Sequence, residues 1–174
     1  MPFTKTLRRM GFYPILALAT PALADIPTAC TETPGFDDAI AQLEADGWQV
    51  QDRDAQLTET QVDAVAWTLM VTRYVGGGDT GGQDTETLLD LQRQAAPGLL
   101  LRFDTDTTRA RVLLDGDDAL TVTQTRTIPG RVERACRLAS TAEPAAGIEP
   151  LDATGFDGAP TTLAEWITVL PEAE

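Results

Sequence analysis

The sequence predicts an α+β fold, with about three helices packed on one face of a mainly antiparallel sheet of four to five strands. Three observations predict it. Apolar residues recur at helical spacing between residues 36 and 96. From residue 99 to 139 the pattern changes to short runs rich in Val, Leu and Thr, separated by compact turn sequences. Helices come first and strands after, which favours a segregated α+β layout over alternating βαβ units.

Residues 25–35 are polar and carry Pro27 and Pro34, so they read as an extended lead-in. Phe36, Ile40 and Leu43 fall on one helical face; Asp37 and Asp38 suit its first turn and Gly47 its end. Residues 48–50 read as a short strand. Thr58 and Gln61 have the spacing of a capping box, and Val62, Val65, Ala66, Leu69, Met70 and Tyr74 continue it as a second helix. A Gly-rich stretch, 76–82, links it to a third helix over 85–96, which Pro97 and Gly98 end. Strands are predicted at 99–103, 110–114, 120–128 and 131–139, and short separators make them antiparallel hairpins. Residues 141–162 read as a long connection, and 166–170 as a last strand returning to the sheet.

The first residues carry Lys5, Arg8 and Arg9 and no acid. An apolar run over 11–19 follows, and Ala22-Leu23-Ala24 ends it in a small-x-small pattern. Those are the three parts of a cleavable signal peptide. The run is about half the ~20 residues of a spanning helix, and Pro14 interrupts it. Residues 1–24 are therefore expected to be removed, with no integral membrane span left. Residues 25–174 then form one globular domain, periplasmic or secreted. The style of the signal and the use of Arg in place of Lys point to a bacterium.

Composition narrows the chemistry. The chain carries 27 acids against 13 bases, a net charge of −14. Such a balance disfavours nucleic acid and anionic membrane surfaces. His and Asn are absent, Ser140 is the only Ser, and the only Lys lies in the leader. No Ser-His-Asp triad or Cys-His pair is available, and zinc lacks its usual nitrogen ligand. No cofactor and no metal site are expected, and no catalytic residue is singled out. Cys30 and Cys136, in a chain bound for an oxidising compartment, are expected to form a structural disulfide.

Strand alternation assigns sides. Leu99, Leu101, Phe103, Ala110, Val112, Leu114, Leu120, Val122, Val132, Cys136 and Leu138 are expected to face the helices. Arg102, Arg109, Arg111, Arg131 and Arg137 are expected on the other face with Thr121, Thr123, Thr125 and Thr127. Arg126 and Arg134 break this parity. Residues 99–140 hold seven Arg and six acids, whereas the flanking regions are strongly acidic. Arg forks bind two oxygens at once, so this face is a candidate dock for an acidic protein surface or an anionic ligand. The plainer reading is a solvated face of Arg–Asp pairs.

Three motifs nearly match. Gly76, Gly78 and Gly81 have the letters of a dinucleotide fingerprint, but that motif needs a strand before its first Gly, and here a helix precedes it. Asp104 and Asp106, and Asp115, Asp117 and Asp118, resemble calcium loops but lack the late bidentate acid, and turn chemistry explains them. Trp48, Trp67 and Trp166 have the spacing of core residues more than of a sugar cleft. The expected function is non-catalytic: a binding or assembly partner of another envelope component. The alternative is a carboxylate-dependent hydrolase, with or without metal assistance.

Overall fold

The computed structural model describes residues 26–75, 84–97 and 101–172. The predicted signal peptide and the Gly-rich stretch lie outside the described residues. Ile26–Thr31 is a helix, α1, not an extended lead-in. Ile26, Ala29 and Cys30 repeat at helical spacing and are all buried. Pro27 sits in the first turn, where its missing N–H costs no hydrogen bond.

Helix α2, Phe36–Ala45, buries Phe36, Ala39, Ile40 and Leu43. Gly47 ends it at φ 105°, a conformation that favours glycine, and turns the chain into strand β1, Gln49–Val50. Helix α3, Glu59–Met70, starts at the predicted capping box: Thr58 accepts from the Gln61 N–H, and the Gln61 side chain accepts from the Thr58 N–H. It continues as a π-helical turn, Val71–Val75. Helix α4, Thr85–Ala95, is capped by Asp84, which accepts from the Thr87 N–H.

The strands are β2 (Arg102–Asp104), β3 (Thr108–Asp115), β4 (Asp118–Ile128), β5 (Arg131–Ser140) and β6 (Thr162–Pro171). The sheet runs β1-β3-β4-β5-β6, and every pairing is antiparallel. Strand β2 also pairs with β3, on the half of that strand that β1 leaves free. Strand β6 forms the opposite edge.

The fold class is the predicted one, but the helices are divided between the two faces. Leu113, Leu120, Leu138 and Ala164 lie in register across four strands and pack with Ile26, Phe36, Ile40 and Leu43 of α1 and α2. Their sequence neighbours Leu114, Ala119, Ala139 and Leu163 form the adjacent row on the other face. That row packs against Val65, Ala66 and Trp67 of α3 and, through the same clusters, Leu88 and Leu89 of α4. An eight-residue strand such as β3 buries five consecutive residues, Ala110 to Leu114, because both faces are covered there. Trp48 and Trp67 belong to these two cores, at 2% and 5% exposure.

Two devices hold α1 to β5. Cys30 and Cys136 form the predicted disulfide, with Cα atoms 6.1 Å apart and a sequence separation of 106. Chain entropy assigns such a loop up to about 4.7 kcal/mol. One step along the same face of β5, Arg134 is fully buried. Its guanidinium donates to the carbonyls of Ala29 (3.3 Å), Thr33 (2.5 Å) and Pro34 (2.9 Å), and to Gln124 Oε1. It thereby satisfies the carbonyl end of α1 and the turn into α2, where helix carbonyls lack partners. Burial pulls the Arg134 pKa down, opposed by the Asp38 charge.

Candidate functional site

The five arginines singled out by sequence do not share a face. The turn between β3 and β4 has two residues, Gly116 and Asp117, and pairs Asp115 with Asp118. Even positions of β3 therefore sit beside odd positions of β4, the opposite of the parity assumed from the runs alone. Arg109 and Arg111 lie in register with Gln124 and Val122, on the α1–α2 face, and Arg102 pairs across from Arg111. Thr121, Thr123 and Thr125 do share the opposite face with Arg137 and Arg131, as alternation along β4 and β5 requires.

On the α1–α2 face the arginines converge on Asp104. That carboxylate accepts from Arg109 Nε at 3.3 Å and Arg111 at 3.0 Å, with Arg102 at 3.9 Å. Burial works to raise the Asp104 pKa, but Arg111 and Arg109 outweigh it and hold it below its ordinary value. Arg109 also grips both oxygens of Asp37, at 2.7 and 3.0 Å, and this hydrogen bonding depresses the Asp37 pKa. Both guanidinium groups stack on the Phe36 ring, 4.5 Å and 5.6 Å from its centroid. Arg102 adds a bond to Asp52 at 3.4 Å. A cleft of about 390 Å³ opens beside this network, between the start of α2 and Arg126. There Arg126 is closed by Glu172, to which its Nε donates at 2.7 Å. The cations of this face are thus satisfied by the fold itself.

The α3–α4 face is different. The helices cover only half of it. Beyond the C-terminal end of α3 a shallow groove of about 290 Å³ is lined by Arg73, Thr121, Thr123, Thr125, Glu133 and Arg137 among others. Thr121 is buried at its upper end and shares a 2.7 Å hydrogen bond with Thr68 of α3. Arg137 is held by Glu165 at 2.8 Å and donates to Thr123. Arg131 and Arg73 are exposed, and neither has an ion-pair partner among the described residues. Two apolar side chains of β6 flank the strip, Ile167 at 56% and Val169 at 52% exposure. They stand in register with Ala135 and Glu133. Sequence reading placed 166–170 in a strand but gave these two side chains no role. Their signal was an apolar pair at strand spacing with no helix left to cover it.

Other acids offer less. Asp115 is half-buried, and burial with the neighbouring Asp118 charge raises its pKa. Asp118 accepts from Ser140 Oγ at 2.8 Å and the Thr141 N–H at 3.1 Å, so it closes the turn after β5. Among the described residues, no three His, Cys, Asp or Glu side chains are grouped to hold a metal ion, and no helix is long and apolar enough to cross a membrane. Compared with known proteins, the chain matches no family model, no curated protein and no solved structure.

Proposed function

We propose that this chain is an exported, non-catalytic binding or assembly module of a bacterial envelope, periplasmic or secreted. It docks another protein through the open strip of the α3–α4 face. One observation carries the reading: Ile167 and Val169 stand half-exposed beside a Thr-lined groove in a chain that is otherwise strongly acidic. Exposed apolar side chains rimmed by polar ones mark interaction surfaces. Arg73 and Arg131, left without ion-pair partners among the described residues, are the groups that would take acidic side chains of the partner. The disulfide fits an oxidising compartment.

A photo-crosslinking residue placed at Thr125 in the native host tests this. The expected result is one envelope protein captured at Thr125, lost when Arg73 and Arg131 are both changed to Ala, and absent when the probe is moved to the exposed Glu59 at the start of α3. Equal capture at both positions, or none at Thr125, would overturn it. For the hydrolase alternative, Asp115 is the described acid whose pKa is raised. An activity that survives Asp115→Asn removes that residue from it.

A further inference from the structure

The outer edge of β6 is a second feature of the same region, and its geometry can be read residue by residue. In an antiparallel strand the N–H and C=O of one residue point the same way, and successive residues alternate. The Leu163 carbonyl accepts from the Leu151 N–H at 2.7 Å, so Leu163 points away from β5. The Glu172 N–H donates to the Gly130 carbonyl, so Glu172 points toward β5. Glu165, Ile167 and Val169 therefore turn their backbone groups outward, where no described residue bonds them. The free stretch has defined ends. At one end Leu151 covers Leu163; at the other, Pro171 has no N–H to offer. The same three outward residues carry their side chains on the open α3–α4 face.

Edge strands this long are usually blunted by charge, proline or a covering segment. Here the one charge in the free stretch, Glu165, is already neutralised by Arg137 at 2.8 Å. We infer that the free edge of β6, from Glu165 to Val169, accepts an extended segment of a second protein as an added strand. This rests on the docking reading above and names the form its partner takes. Backbone bonds from three residues supply affinity, and the apolar pair selects apolar side chains at alternate positions of the guest. Charge selects its end. The turn beside Leu163 carries Glu149, Asp152 and Asp157, all exposed and without ion-pair partners among the described residues. The guest is basic where it passes that turn. A second copy of this chain fits worse. Two strongly acidic copies would repel one another.

The test uses the oxidised protein and a labelled peptide of alternating Thr and Val with two Lys at one end. A counterpart carrying two Glu serves as comparison. The key variant is Val169→Pro. It deletes an outward N–H and leaves the β5 ladder intact, whereas Val169→Ala removes the side chain and keeps the N–H. Circular dichroism and disulfide content confirm that both variants fold. The parent is expected to bind the Lys peptide at least about tenfold more tightly than the Glu peptide. Val169→Pro should weaken binding about tenfold, and by more than Val169→Ala does. Hydrogen exchange at the Ile167 and Val169 amides should be fast in the free protein and slow in the complex. Equal binding by Val169→Pro and the parent overturns the edge. So does a free protein that is already a dimer with those amides protected. If Val169→Pro has no effect while the Thr125 crosslink persists, the face docks a partner and the edge inference alone falls. If the peptide protects the β6 amides but Thr125 captures nothing, the edge stands and the strip reading falls.

Discussion

On the α1–α2 face, Arg102, Arg109 and Arg111 close on Asp52, Asp37 and Asp104, and Arg134 closes on backbone carbonyls. On the α3–α4 face, Arg131 stands in solvent a few residues from an uncovered Ile167 and Val169. The two faces draw on the same residue types in one sheet. They differ in what covers them. A disulfide and a buried guanidinium fix α1, with α2 following directly, on one side. On the other, α3 and α4 stop halfway along the strands. Arginine content therefore does not mark the open side of the sheet. The supply of acids within the fold decides which arginines are left over, and cover by helices decides which apolar residues are.

That contrast can be broken at measurable points. Replacing Cys30 and Cys136 by Ala should cost the most, up to about 4.7 kcal/mol in denaturant unfolding. A similar loss should follow from reductant in the parent alone. Arg134→Met should cost about 3 kcal/mol, because three carbonyls of the α1–α2 turn lose their buried donor. Unfolding that matches the parent would show that those carbonyls find water instead. Thr58→Ala should cost about 1 kcal/mol by removing one arm of the α3 capping box. Ionised Asp115 should be mildly unfavourable. Its folded pKa is raised, so the stability it lends is present below its ordinary value of 3.8 and is lost as pH rises through the folded value. Asp115→Asn should thus stabilise the protein at neutral pH and leave it unchanged at pH values well below 3.8, as read by thermal melts. Smallest of all, Ile167→Thr with Val169→Thr should move stability by no more than about 0.5 kcal/mol. A large loss there would show that the strip belongs to the core.

Much of the architecture was legible because it is written in local chemistry. The Thr58–Gln61 box, the α2 stripe of Phe36, Ile40 and Leu43, and the Thr alternation of β4 each specify their own element. The division of helices between two faces was not legible, because it depends on how strands meet. Parity within a strand is local, but parity between β3 and β4 is set by a two-residue turn, and a one-residue error moves every side chain across the sheet. Helix α1 was missed because six residues carry little periodic signal and Pro27 suggests extended chain. Arg134 was visible as a break in alternation between Val132 and Cys136. That break was the trace of its task, since an arginine among apolar neighbours must find acceptors inside. The open strip was half legible. Thr121, Thr123, Thr125, Arg131 and Arg137 do share a face, but α3 packs on part of it and Arg102, Arg109 and Arg111 lie on the other, whereas the β6 edge needed the sheet order.

The bridge between α1 and β5 also orders events in time. A ribosome or a translocation pore delivers the chain N-terminus first, so Cys30 arrives early and its partner comes 106 positions later. Until β5 appears, α1 has neither its covalent tether nor the guanidinium that satisfies its last carbonyls. Helix α1 is therefore among the last of the described elements to settle, although it precedes the others in the chain. With only two cysteines in the chain, no wrong internal bridge competes during that wait.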